Sequence, residues 1–197
     1  MIVLAGPIAS GKTTLFREIQ PQYSVDAFNV DDRCAVLNGG SYQDLAPEIL
    51  AEARRECETF IREHIDEGRS FMVETTLRSQ ISIEQARVAS TAGFETEMIF
   101  VALDNVEENI RRAKERELDG GRRVDVATVL AVHRAALEHL PIAMREFHQV
   151  TVIDNTGSRG RVLLETRDGE ITMDHQPRAP WLQRALAGTE FEAPSRG

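Results

Sequence analysis

At 197 residues, with 42% hydrophobic and 28% charged residues and a net charge of −9, the chain has the size and balance of one globular domain with a real core. That acidic surplus argues against a broad nucleic-acid or membrane footprint, since both partners reward a basic face. No apolar run approaches the roughly 20 residues that cross a bilayer, and Met1 leads straight into an apolar strand without a cleavable leader, so the expected compartment is the cytoplasm. Cys34 and Cys57 lack CxxC or metal-ligand spacing and read as reduced packing residues.

Ile2-Val3-Leu4-Ala5 reads as a strand running into Gly6-Pro7-Ile8-Ala9-Ser10-Gly11-Lys12-Thr13-Thr14, which fits the Gly-x4-Gly-Lys-[Ser/Thr] pattern of a phosphate-binding loop. Leu15 to Ile19 supplies the helix that the pattern needs behind it, in a helix from Lys12 to Gln20 that Pro21 is expected to close. Val25 to Asn29 is a second strand ending at Asp31-Asp32-Arg33, and Asn38-Gly39-Gly40-Ser41 is a turn. From Pro47 to Glu67, Ile49, Ala53, Cys57, Ile61 and Ile65 recur every four residues on one helical face. Ser70 to Glu74 is an apolar burst ending in an acid, a third strand whose functional end is Glu74.

Ser79 to Ala92 fits a helix stopped by Gly93, and Glu97 to Leu103 a buried fourth strand. Val106 to Glu117 is a charged helix carrying Arg111, Arg112, Lys114 and Arg116; Gly120-Gly121 breaks it as a plain stop or as a lid hinge. Asp125 caps a helix from Val126 to Phe147 that Pro141 is expected to kink or divide. Val150 to Ile153 is the fifth strand, and Arg161 to Thr172 a small hairpin about Asp168-Gly169. The organisation expected is a kinase-like domain over 1–173 and a tail over 174–197 with a short docked helix anchored by Trp181. Strands alternating with helices make this an α/β fold, a P-loop three-layer sandwich with a five-stranded parallel sheet, a helical lid and a small C-terminal hairpin.

In a loop of this type Gly6, Ala9, Ser10, Gly11, Lys12, Thr13 and Thr14 would hold the phosphates of ATP, with Lys12 on β- and γ-oxygens and the Thr13 hydroxyl on Mg2+. A guanine-reading Asn-Lys-x-Asp is missing, which sets aside a regulatory GTPase, and the length disfavours a motor or transporter ATPase. A small-molecule kinase remains, which needs a carboxylate near the acceptor hydroxyl and cations that follow the migrating phosphoryl charge. Asp31 or Asp32 can supply the first, the arginines of 111–134 the second.

These residues resemble the zeta toxins and their relatives, the UDP-N-acetylglucosamine kinases. The resemblance runs through Asn29-Val30-Asp31-Asp32, where the family has Asn-Pro-Asp-Glu, through Glu74-Thr75-Thr76-Leu77-Arg78, through Arg116 to Val124 with its Gly120-Gly121, and through His133-Arg134 and Ile153 to Thr156. It implies transfer of the ATP γ-phosphoryl to the 3′-hydroxyl of the N-acetylglucosamine unit. Asp31 would be the base, Lys12, Arg116 and Arg134 would serve the phosphates, and Asp32, Glu74, Thr76 and Arg78 would contact the sugar nucleotide. A protein antitoxin would be a partner. The chain departs from the family at Ile8-Ala9-Ser10, where Asn-Gly-Ala is commoner, and at Arg122, where histidine is usual. Phosphorylation of another small hydroxyl compound, such as an antibiotic or sugar acid, and a nucleotide-dependent regulatory module without transfer stay open as alternatives.

Overall fold

Every side chain of β1 (Ile2–Ala5) is buried because the strand has helices on both faces and neighbours on both edges. The computed structural model describes residues 1–157 and 159–193, so 194–197 of the expected tail lie outside the described residues. After β1 come α1 (Lys12–Tyr23), β2 (Asp26–Phe28), α2 (Val30–Leu37), α3 (Pro47–Asp66), β3 (Phe71–Glu74) and α4 (Ile81–Thr91). The second half adds β4 (Glu97–Ala102), α5 (Val106–Leu118), α6 (Val126–Glu146), β5 (Gln149–Asp154), β6 (Arg161–Arg167), β7 (Glu170–Asp174) and α7 (Pro180–Leu186).

The sheet has order β2-β3-β1-β4-β5-β6-β7, with the first five strands parallel and β6 and β7 antiparallel. The five expected parallel strands are present, but the sheet has seven strands, because the hairpin pairs directly with β5. Strand alternation sorts the core into two layers. Val3, Ala5, Phe71, Val73 and Phe100 face α3, α4, α6 and α7, while Ile2, Leu4, Met72 and Val101 face Phe16 of α1. Trp181 of α7 is fully buried beside Phe100, at a ring distance of 6.3 Å.

Three local expectations change. Helix α1 continues through Pro21 to Tyr23, since a proline in the last turn removes one bond near an end that is already losing them. Likewise α6 is continuous across Pro141, whose ring is buried among Leu140, Ala143 and Met144. Packing of that apolar face outweighs the lost bond. The residues after β2 form a helix, α2, because the Asn29 side chain accepts from the N–H groups of Asp31 and Asp32 and two acids occupy its first turn.

Register fixes what shares an edge. Leu4 lies opposite Glu74, Phe28 opposite Val73, and Ala102 opposite Asp154, so the carboxyl ends of β2, β3, β1, β4 and β5 line up beside the phosphate-loop motif. Among the described residues no helix is long and apolar enough to cross a membrane.

The tail is anchored by Arg178, whose buried guanidinium donates to both Asp174 oxygens at 3.0 and 2.9 Å and to the Phe191 carbonyl at 2.6 Å. Arg178→Ala is therefore expected to destabilise the fold by about 3 kcal/mol, read by urea unfolding. Hydrogen bonding from Arg178 holds the Asp174 carboxyl below its ordinary 3.8. Its share of stability is thus present above that value and is lost as pH falls through the lowered one.

Candidate functional site

Between Ala5 and Lys12 the backbone turns through Gly6 at φ 135°, Ala9 at φ 58° and Gly11 at φ 99°. A Cβ on Gly6 would stand 2.0 Å from the Val101 carbonyl oxygen, so only glycine lets the loop leave β1 against β4. Ala9 holds a left-handed conformation where the commoner family residue is glycine; the cost is about 1–2 kcal/mol. Two asparagines hold the loop from outside. Asn109 of α5 donates to the Ile8 carbonyl at 2.7 Å, and Asn155 after β5 donates to the Ser10 carbonyl at 2.9 Å.

Lys12 is buried, with its Nζ donating to the Pro7 carbonyl at 2.7 Å and lying 4.0 Å from Glu74 Oε1. Burial lowers its pKa, opposed by the carboxylates of Glu74 and Asp31 and reinforced by the Arg116 guanidinium. Glu74 is itself largely buried and occupied on both oxygens. Thr13 Oγ1 donates to Oε1 at 3.1 Å and Asn29 Nδ2 to Oε2 at 2.7 Å. Burial raises the Glu74 carboxyl, opposed by Lys12 and the Thr13 hydroxyl. One amide thereby links the end of β3 to the cap of α2 and sets where Asp31 begins.

A cleft of about 630 Å³ opens over these strand ends, with the loop at its floor and α3, α4, α5 and α6 as walls. Lys12, Thr13, Thr14, Asp31, Glu74, Thr76, Arg78 and Arg116 line it together. Among the described residues, Arg116 Nε is buried without a hydrogen-bond partner. Asp32 stands beside the cleft instead of lining it, because Tyr42 Oη donates to it at 2.7 Å and Arg17 at 3.2 Å. Arg134 is not brought there at all: its side chain is 79% exposed on the outer face of α6 and lies 3.8 Å from Glu138 one turn on.

Sequence reasoning passed over Arg54 and gave Arg112, Arg122 and Asn155 no individual role, yet all four reach the cleft. Arg122 donates to Asp31 Oδ1 at 2.8 Å. Arg54 has its pKa lowered by burial and by the nearby Arg78 and Arg122 guanidiniums, so cations converge on the wall beyond Asp31. Arg122 was marked in sequence by its place among the arginines of 111–134 and by its departure from the family's histidine. Nothing local marks Arg54, which reads as one more charge on α3.

A glycine-shaped loop, a buried lysine and a cation-lined cleft at the carboxyl ends of parallel strands define a P-loop protein with a kinase-like fold. The Zeta toxin family profile matches residues 1–167, and the chain belongs to that family. Its backbone is similar to the structure of AvrRxo1-ORF1:-ORF2 with ATP, at 14% identity and TM-score 0.67, covering 87% of this chain and 59% of that one. It is similar also to the PezAT toxin-antitoxin system of Streptococcus pneumoniae, at 17% identity and TM-score 0.57, covering 95% and 78%. A third similar structure is the Pnkp1/Rnl/Hen1 RNA repair complex, at 19% identity and TM-score 0.54, covering 68% and 43%. The chain thus spans about three-fifths of the AvrRxo1 chain it resembles. No curated protein sequence matches it significantly.

Because the folded-state pKa of Glu74 is raised, its ionisation opposes folding once pH climbs above the ordinary 4.5. Glu74→Gln should therefore gain in melting temperature relative to the parent as pH rises through that window, and show no gain below it. Paired thermal melts across pH check this.

Proposed function

We propose that the protein is an ATP-dependent kinase that phosphorylates a hydroxyl of a nucleotide-linked sugar, with the 3′-hydroxyl of UDP-N-acetylglucosamine as the acceptor that family membership favours. The observation carrying this reading is the pairing, within one cleft, of a buried Lys12 with an Asp31 whose second carboxylate oxygen accepts no hydrogen bond among the described residues. Lys12 and Arg116 suit the triphosphate: one buried ammonium and one unpartnered guanidinium N–H in a protein that is acidic overall. Asp31 Oδ2 would take the proton of the acceptor hydroxyl as its oxygen bonds to the γ-phosphorus. The bond from that phosphorus to the β–γ bridging oxygen then breaks, and ADP leaves. Arg54 and Arg78 make a cationic wall suited to the diphosphate of a nucleotide sugar.

Thr13 would hold Mg2+ through the hydroxyl that donates to Glu74, and a bound cation would neutralise phosphate charge. No group of three or more acidic, histidine or cysteine side chains suited to a metal occurs among the described residues. That fits an ion which draws most of its ligands from phosphates and water. A protein antitoxin is supported as a partner by the similarity to a toxin-antitoxin system.

Incubation with ATP, Mg2+ and UDP-N-acetylglucosamine should yield a phosphorylated sugar nucleotide, detected by mass spectrometry. Asp31→Asn should lower turnover by about 10²–10⁴-fold while leaving ATP affinity in place. Lys12→Ala should weaken ATP binding itself, read by calorimetry. Intact ATP binding without sugar phosphorylation would reject this acceptor and turn the search to other hydroxyl compounds. A parent turnover that Asp31→Asn leaves unchanged would point to the regulatory reading.

A further inference from the structure

Asp31 stands in the first turn of α2 with its two carboxylate oxygens in different situations. Oδ1 accepts from Arg122 Nη1 at 2.8 Å, and Oδ2 accepts from nothing among the described residues. A carboxylate that rotates freely spreads its lone pairs over many directions, whereas one oxygen held by a charged donor leaves the other aimed along a single line. We propose that Arg122 is the positioning residue of the transfer reaction: it fixes the Asp31 carboxylate so that Oδ2 faces the acceptor hydroxyl. The inference rests on Asp31 being the base.

The origin of the Arg122 side chain is itself set by how α5 ends. Gly120 takes φ 87° and donates to the Glu117 carbonyl at 3.1 Å, and Gly121 donates to the Arg116 carbonyl at 2.8 Å. These two bonds close the helix in a Schellman turn. A Cβ on Gly121 would meet the Arg116 Cγ at 2.5 Å and the Arg116 carbonyl at 2.7 Å, so the turn is packed directly onto Arg116. Arg116, facing the phosphate end of the cleft, and Arg122, holding the base, therefore project from one rigid turn. Arg17 and Tyr42 take Asp32, leaving Arg122 as the cation bonded to Asp31 among the described residues.

Arg122→Ala, Arg122→Lys and the exposed control Arg123→Ala test this in the full chain, with ATP, Mg2+ and UDP-N-acetylglucosamine as substrates. Arg122→Ala should lower kcat by about 10–100-fold with the KM for ATP unchanged, and the lysine variant should recover part of that loss. Arg123→Ala should match the parent. In an Asp31→Asn background Arg122→Ala should cost nothing further, since there is no longer a base to orient. Crystal structures of the two Arg122 variants supply a readout that needs no acceptor: the Asp31 carboxylate should occupy more than one rotamer in the alanine variant and return towards one in the lysine variant. Parent-like kcat in Arg122→Ala, an equal loss in the Asp31→Asn background, or an unmoved Asp31 carboxylate would overturn the proposal. If Asp31→Asn alone leaves turnover intact, the base assignment falls instead, and the crystal structures still decide whether Arg122 orients that side chain.

Discussion

The site is organised by two opposite charges kept almost out of water, the Lys12 ammonium and the Glu74 carboxylate 4.0 Å apart. Burial pushes each towards its neutral form, and each is drawn back towards charge by the other. An arrangement so costly persists only when hydrogen bonds satisfy what the ion pair leaves over. Here the Pro7 carbonyl accepts from Lys12 Nζ, while Thr13 and Asn29 donate to Glu74. The phosphate loop, the end of β3 and the cap of α2 are thereby held to one another by a single polar cluster, and the parallel register of β1 with β3 delivers its two poles to the same place.

The chemistry then divides along the cleft. At the loop end, the buried Lys12 ammonium and the Arg116 guanidinium line the cleft. At the far end, Asp31 is close to Arg122 and the Arg54 and Arg78 guanidiniums. Such clustering of cations within a chain of net charge −9 concentrates positive potential in the cleft. The division also separates the two carboxylates by role: Glu74, with both oxygens occupied, organises the loop, and Asp31 keeps one oxygen open.

Much of this was legible in residue order. The loop motif, the apolar strands around it and the acid at the end of β3 have local signatures, because glycine spacing and strand burial act over a few neighbouring residues. Helix α2 also had a signature, Asn29 followed by two acids, but the same residues read equally well as a strand end with a catalytic pair. Asp31 sits in the first turn of that helix and lines the cleft. Pro21 and Pro141 misled because proline reports a lost hydrogen bond and says nothing of the packing that outweighs it.

What the sequence by itself determined is the set of short-range commitments: a glycine-framed loop behind a buried strand, the alternation that makes an α/β sheet, and the identity of Lys12, Asp31 and Glu74 as groups at strand ends. Tertiary structure alone decided which distant charges meet. Arg122 reaches Asp31 across 91 positions of chain, and Asn155 reaches the Ser10 carbonyl across 145, while Arg134 turns outward to Glu138 one turn away. The reason is physical: a charged side chain on a helix looks the same in sequence whether its face is turned to solvent or to a cleft. Only the packing of α5 and α6 over the strand ends selects between them.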